Sequence, residues 1–245
     1  MWLPAYVAGD HTILMQNAMK KHLIAILLAA VLPAASHAAP CGVAPDGDAG
    51  SALRLAAKEG DAKTVRCLLD NGADVNAANK KNGGTALIRA AVNGHTDVAR
   101  LLIVKGAQVN ATDKNGLTAL WFAAHEGHID TVRLLIAGGA NVDASPKHGK
   151  AAGITALMAA ATEGYADTVR LLIASSAQVN AAGKGGITAL MLAAGNGHTN
   201  TARLLIASGA NVNAVDQNGE TALGFAQAEG YTEIVQMLRA AGAKE

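Results

Sequence analysis

The sequence predicts an all-α solenoid of about six helix-turn-helix units joined by β-hairpin-like loops, and three observations carry that prediction. "SALRLAA" at Ser51 is echoed by "TAL" at Thr85, Thr118, Thr155, Thr188 and Thr221, in steps of 34, 33, 37, 33 and 33 residues. A second ladder through Cys67, Leu101, Leu134, Leu171, Leu204 and Met237 takes the same five steps. Two motifs that slip together at the same insertion belong to one repeating unit. The third observation is composition: 51% hydrophobic but 3% aromatic, with a formal net charge of +1. Such a chain buries Ala, Leu, Val and Ile rather than rings, and a near-neutral charge gives no bulk attraction for nucleic acid or an anionic membrane.

Each unit reads in the same order. Threonine caps a helix start by accepting a backbone N–H, and the following "ALxxAA" sets Leu and paired Ala on one face at helical spacing. Gly94, Gly127, Gly164, Gly197 and Gly230 end that first helix, because glycine enters the left-handed region at little cost. The next run, as in "TVRLLIAGGA", is apolar at i, i+3 and i+4 and ends at another glycine. Asn82-Gly83, Asn115-Gly116 and Asn218-Gly219 are tight-turn signals for projecting loops between units. Pairs such as Ala123-Ala124 and Ala193-Ala194 let neighbouring units approach and share a core, since one unit alone cannot bury its apolar face.

The run "DKNGLTALWFAAHEGHIDTVRLLIAGGANVDA", Asp113 to Ala144, resembles the ankyrin repeat, with its T-P-L-H motif, its Gly-His turn, its Leu-Leu helix and its closing G-A-D-V-N-A. The resemblance extends over about residues 47–245 and implies an ankyrin-repeat solenoid. Alanine replaces the family's Pro in every "TAL", and the family's His is replaced by Arg54, Ile88, Trp121, Met158, Met191 and Gly224. The expected consequence is apolar contact between repeats where the family has hydrogen bonds. Ser176 stands where glycine is expected, at a cost of about 1 kcal/mol if its φ is positive. The first unit carries Arg54, Lys58, Glu59, Asp61 and Lys63, and the last ends in "EIVQMLRAAGAKE". Both are polar enough to act as caps, so the solenoid is expected to be complete.

Upstream of the repeats, "MKKHLIAILLAAVLPAASHAAP" from Met19 has a basic start, an apolar run and small residues at Ser36 and Ala38, the plan of a secretory signal peptide. Residues 19–38 are assigned to it, with cleavage after Ala38. Pro33, Ser36 and His37 interrupt the run before the ~20 apolar residues of a membrane span. Residues 1–18 lack a basic cluster and are polar at Asp10, His11, Gln16 and Asn17. They are expected to be a mis-assigned upstream extension, with Met19 rather than Met1 or Met15 as the start. Residues 39–46 form an N-terminal segment. Cleavage removes Lys20, Lys21 and Asp10, leaving a formally neutral mature protein that is expected to be periplasmic or secreted, and bacterial in style.

In an exported chain Cys41 and Cys67 are candidates for a disulfide, contributing roughly 3 to 4 kcal/mol in the chain-entropy picture. The alternative is a buried Cys67 standing in for Leu beside a free Cys41.

The ankyrin resemblance implies partner binding on a concave face made of inner-helix ends and loop tips. The candidate partner-binding residues are Lys114, Asn115, Leu117, Trp121, His125, Glu126, Lys147, His148, Thr162, Glu163, Lys184 and Asn196. Lysine-rich tips, with Lys80, Lys81 and Lys150, border a polar to acidic groove. Trp121-Phe122 suits an interface anchor, and equally suits a space-filler where other units have Met or Ile. The insertion "SPKHGKAAG", Ser145 to Gly153, is a loop that could line the binding face or simply be tolerated. Arg66, Arg100, Arg133, Arg170 and Arg203 form an outer stripe, and Asp97, Asp130 and Asp167 three residues before three of them predict i,i+3 pairing.

Catalytic signals are weak. "HEGH", His125 to His128, lacks the i,i+4 histidines on a continuous helix that zinc motifs need, and "GKGG" at Lys184 lacks the Ser/Thr ending of a phosphate loop. The sequence therefore predicts a non-enzymatic, exported, monomeric scaffold for a protein partner, with no cofactor, metal, nucleic acid or stable membrane anchor. Alternatives are an accessory factor for a periplasmic enzyme in oxidative-stress defence and an effector acting on a host protein.

Overall fold

The computed structural model describes residue 41 and residues 48–149 and 151–244. The upstream extension 1–18, the signal segment 19–38 and most of 39–46 lie outside the described residues, as do Lys150 and Glu245. Among the described residues twelve α-helices follow in pairs: α1 Ala49–Glu59, α2 Ala62–Asp70, α3 Ala86–Val92, α4 Thr96–Val104, α5 Ala119–His125, α6 Ile129–Ala137, α7 Ala156–Glu163, α8 Ala166–Ala174, α9 Ala189–Gly195, α10 Thr199–Ala207, α11 Ala222–Ala228 and α12 Thr232–Ala240. No extended strand occurs among the described residues. The linking loops close instead through isolated antiparallel bridges, Thr112 with Thr118, Ala182 with Thr188 and Val215 with Thr221.

The repeated threonine starts each inner helix from the second pair on. Thr85, Thr118, Thr155, Thr188 and Thr221 accept from the N–H three residues on at 3.1 to 3.3 Å. The first unit departs from this pattern. Ser51 lies inside α1, and Asp48 is the cap, accepting from Gly50 N at 3.0 Å. In α2 the cap is Asp61, which accepts from Lys63 N, Thr64 N and the Thr64 hydroxyl at 3.1, 3.0 and 2.6 Å.

Odd-numbered helices pack on each other in series and more closely than the even-numbered ones do. Alanine pairs explain why: Ala90-Ala91, Ala123-Ala124, Ala160-Ala161 and Ala193-Ala194 are fully buried, so backbones meet with only a methyl between them. Leu53, Leu87, Leu120, Leu157, Leu190 and Leu223 run beside them as one buried column. The even-numbered helices close the core with Leu68, Leu102, Leu135, Leu172, Leu205 and Leu238.

The glycines ending the first five inner helices have a second duty beyond their positive φ. The ring that opens the outer helix of the following repeat lies where a Cβ would project: His95 over Gly60, His128 over Gly94, Tyr165 over Gly127, His198 over Gly164 and Tyr231 over Gly197. Each histidine of the column also donates from Nε2 to a carbonyl of the preceding repeat. His95 reaches Lys58 at 2.9 Å, His128 reaches Val92 at 3.1 Å and His198 reaches Thr162 at 2.8 Å.

Asn76, Asn110, Asn180 and Asn213 stitch successive loops together in two directions. Their side-chain oxygens accept from Gln108, Asn141, Asn211 and Lys244 N–H groups at 2.7 to 2.8 Å. Their amide nitrogens donate to the Gly106, Gly139, Gly209 and Gly242 carbonyls at 3.0 to 3.3 Å. Cys41 and Cys67 are joined in a disulfide that ties the N-terminal segment to α2.

Two expectations need correction. Of the three i,i+3 pairs on the outer face, only Arg170–Asp167 comes within reach, at 3.9 Å, with both side chains well exposed. Arg203 instead pairs across repeats with Glu233 at 2.9 Å. Exposed charges gain too little from one fixed geometry to hold it. Nor does replacement of the family's His leave only apolar contact. Arg54 donates to the Ala77 carbonyl at 3.1 Å, and Trp121 Nε1 donates to the Ile154 carbonyl at 3.1 Å.

Candidate partner-binding surface

The tips are built by short-range side-chain bonds. Asp113 Oδ1 accepts from Asn115 N and Leu117 N at 2.8 and 2.9 Å, and Asp216 does the same for Asn218 N and Glu220 N, both at 2.8 Å. Successive tips are also bonded to one another. Lys114 N donates to Asn82 O at 2.9 Å, Lys184 N to Ala152 O at 3.0 Å and Gln217 N to Gly185 O at 2.7 Å. No backbone bond among the described residues joins the Asp113–Leu117 tip to the inserted loop. Pro146 takes the place of Asp113 there, and the Trp121 indole supplies the bond that crosses this junction.

The candidate residues therefore fall into distinct settings. Lys114, Asn115, Lys147, His148 and Lys184 stand exposed on the tips. Lys114 Nζ also donates to the Lys80 carbonyl at 2.6 Å, and the Asn115 amide donates to Asp113 Oδ2 at 3.2 Å. Leu117 is 8% exposed and belongs to the core rather than to the surface. Thr162 Oγ1 donates back to Met158 O at 2.9 Å, and the Asn196 amide to Leu192 O at 2.8 Å, so both are engaged by their own helices.

Trp121, His125, Glu126 and Glu163 come together. On α5, Trp121 and His125 are one turn apart and share a face, with ring centroids 5.0 Å apart, and Phe122 meets the indole edge-on at 5.3 Å. His125 Nδ1 lies 3.6 Å from Glu163 and Nε2 3.9 Å from Glu126. Tyr165 completes the group: partial burial, then the negative charges of Glu163 and Glu126, push its phenol above the usual range. Gly127, at φ +73, separates His125 from His128, whose ring turns to Val92. Among the described residues no group of His, Cys, Asp and Glu is arranged to hold a metal ion, and no helix is long and apolar enough to cross a membrane.

The signals for these settings were uneven. The tip lysines and the α5 cluster are readable from repeat alignment. The stitching asparagines recur visibly as "VN", yet nothing in their spacing says that each bonds the following loop.

A family profile described as "Ankyrin repeats (3 copies)" matches residues 9–113, 103–183 and 176–244, which together take in most of the sequence. The chain belongs to the ankyrin-repeat family. Its fold is similar to that in the crystal structure of the human ASB11 ankyrin repeat domain, at a TM-score of 0.72 and 25% identity over 78% of this chain and 84% of that one. A comparison with curated proteins gave no significant match. Ankyrin repeats serve in general as non-enzymatic scaffolds for binding other proteins.

Proposed function

We propose that this ankyrin-repeat protein is exported and binds a partner protein through its concave groove and loop tips. The observation that carries the groove reading is where the sequence varies. Buried positions repeat almost unchanged, whereas the inner-helix ends, exposed apart from a half-buried Glu163, change between Glu and Asn through Glu59, Asn93, Glu126, Glu163, Asn196 and Glu229. A constant frame carrying a varied face suits recognition of one partner.

Export is supported by the signal-like residues 19–38 and by the Cys41–Cys67 disulfide, since such bonds persist in oxidising compartments. N-terminal sequencing of the mature protein should begin at Ala39, with no free thiol. A start at Met1 or Met19 with two titratable thiols would end the export reading.

Site-specific photo-cross-linking tests the groove. A cross-linker at Asn93 or Glu229 should capture a partner, whereas one at Arg100 or Arg133 on the outer helices should not. Capture from the outer positions alone would refute groove binding. Trp121→Ala is a poor probe, because it removes the bond to Ile154 as well as a surface ring.

A further inference from the structure

Four successive tips carry exposed lysines: Lys80 and Lys81, then Lys114, Lys147 and Lys184. The row ends abruptly at the fifth tip, where Gln217 and Glu220 are exposed instead. Asp113, the one acid within the row, has its carboxylate turned into the tip backbone. The last two lysines of the row line one open recess with His148, between the inserted loop and the Gly183–Gly186 turn. The bonds Lys114 N to Asn82 O and Lys184 N to Ala152 O hold neighbouring tips in register.

We propose that this row binds an acidic segment of the partner protein lying extended across the tips, an inference that rests on the groove reading above. Helices in contact are about 8–10 Å apart, so successive lysines recur at about that interval. In the extended polyproline II conformation a chain advances about 3.1 Å per residue and turns once every three residues, which puts one carboxylate opposite each tip, all on one side, when every third residue is acidic. Duplex DNA, with one charge per ~1.7 Å, has no such match. The tips offer no aromatic platform for bases, and Glu126 and Glu163 across the inner helices repel a phosphate chain.

The test uses the full chain and a twelve-residue peptide with Glu at every third position, followed by backbone amide shifts against added salt. Shifts confined to the four tips, weakened by salt and by about tenfold in Lys147→Glu/Lys184→Glu, are expected. Lys147→Gln/Lys184→Gln should fall between, and circular dichroism melts should show all forms folded. Equal binding of a peptide with the same glutamates clustered at one end, or tighter binding of duplex DNA or anionic vesicles, would overturn the proposal. If groove cross-links persist in the charge-reversed variant with undiminished yield, the tip proposal fails while groove binding stands. If groove cross-links are absent in the wild type too, both fail.

Discussion

Asp143 accepts the Gln178 backbone N–H at 2.9 Å but has no N–H to give to the Ser176 carbonyl. Its four counterparts, Asn76, Asn110, Asn180 and Asn213, make both bonds. Asp143→Asn should therefore add one hydrogen bond, worth about 1 kcal/mol, and raise Tm by about 2–4 °C. A thermal melt that stays put or falls would show that the single bond already suffices.

Ser176 sits at φ +69, where every other outer-helix end described has glycine. An L-residue there costs about 1–2 kcal/mol, less what glycine loses in chain entropy, so Ser176→Gly should stabilise by roughly 1 kcal/mol. Because Ser176 and Asp143 meet at one junction, the double variant should depart from the sum of the two. Chemical denaturation of the three variants measures that coupling.

Trp121→Phe keeps a ring but loses the N–H that reaches Ile154. The expected loss is about 1 kcal/mol, and amide exchange should quicken in the inserted loop rather than in the distant repeats.

The Thr201 hydroxyl is buried and has no hydrogen-bond partner among the described residues. Thr131, two steps earlier along the row, bonds the Thr96 hydroxyl at 2.8 Å, and Val98 occupies the same place in the second repeat, fully buried. Thr201→Val keeps the shape and removes the orphaned group, which should stabilise by about 1 kcal/mol. A lower Tm would mean that the hydroxyl has a partner after all.

Asp61 is held below its ordinary value of 3.8, first by the Thr64 hydroxyl and then by the Thr64 and Lys63 N–H groups. A lowered carboxylate stabilises the fold above its unfolded value and loses that contribution as pH falls through the folded one. Asp61→Asn retains the cap without titrating. The wild type should lose Tm relative to this variant only below about pH 4. A constant difference from pH 3 to pH 7 would show that the charge of Asp61 contributes nothing.

The register of the repeats was legible because buried Leu and Ala cannot vary without opening cavities or clashes, so their spacing survives in the residues themselves. The pairing of Arg100 with Asp97 was misread, since solvent competes with exposed charges and spacing alone does not hold them together. Trp121 was ambiguous for another reason. Its indole answers a gap in the tip-to-tip bonding that appears only when Pro146, the insertion and Ile154 are seen in one place.

The column of rings over glycines gives the solenoid a direction. Each repeat receives its covering ring from the one that follows, and His95 and His198 also need a carbonyl from the one before. Shortening the chain from its N-terminal side strands a ring without its floor. At this column, removal of a repeat from the other side uncovers a glycine and strands no ring. In that column a unit leans on the one before it and shelters it in return, so the two ends of any run of repeats are not equivalent.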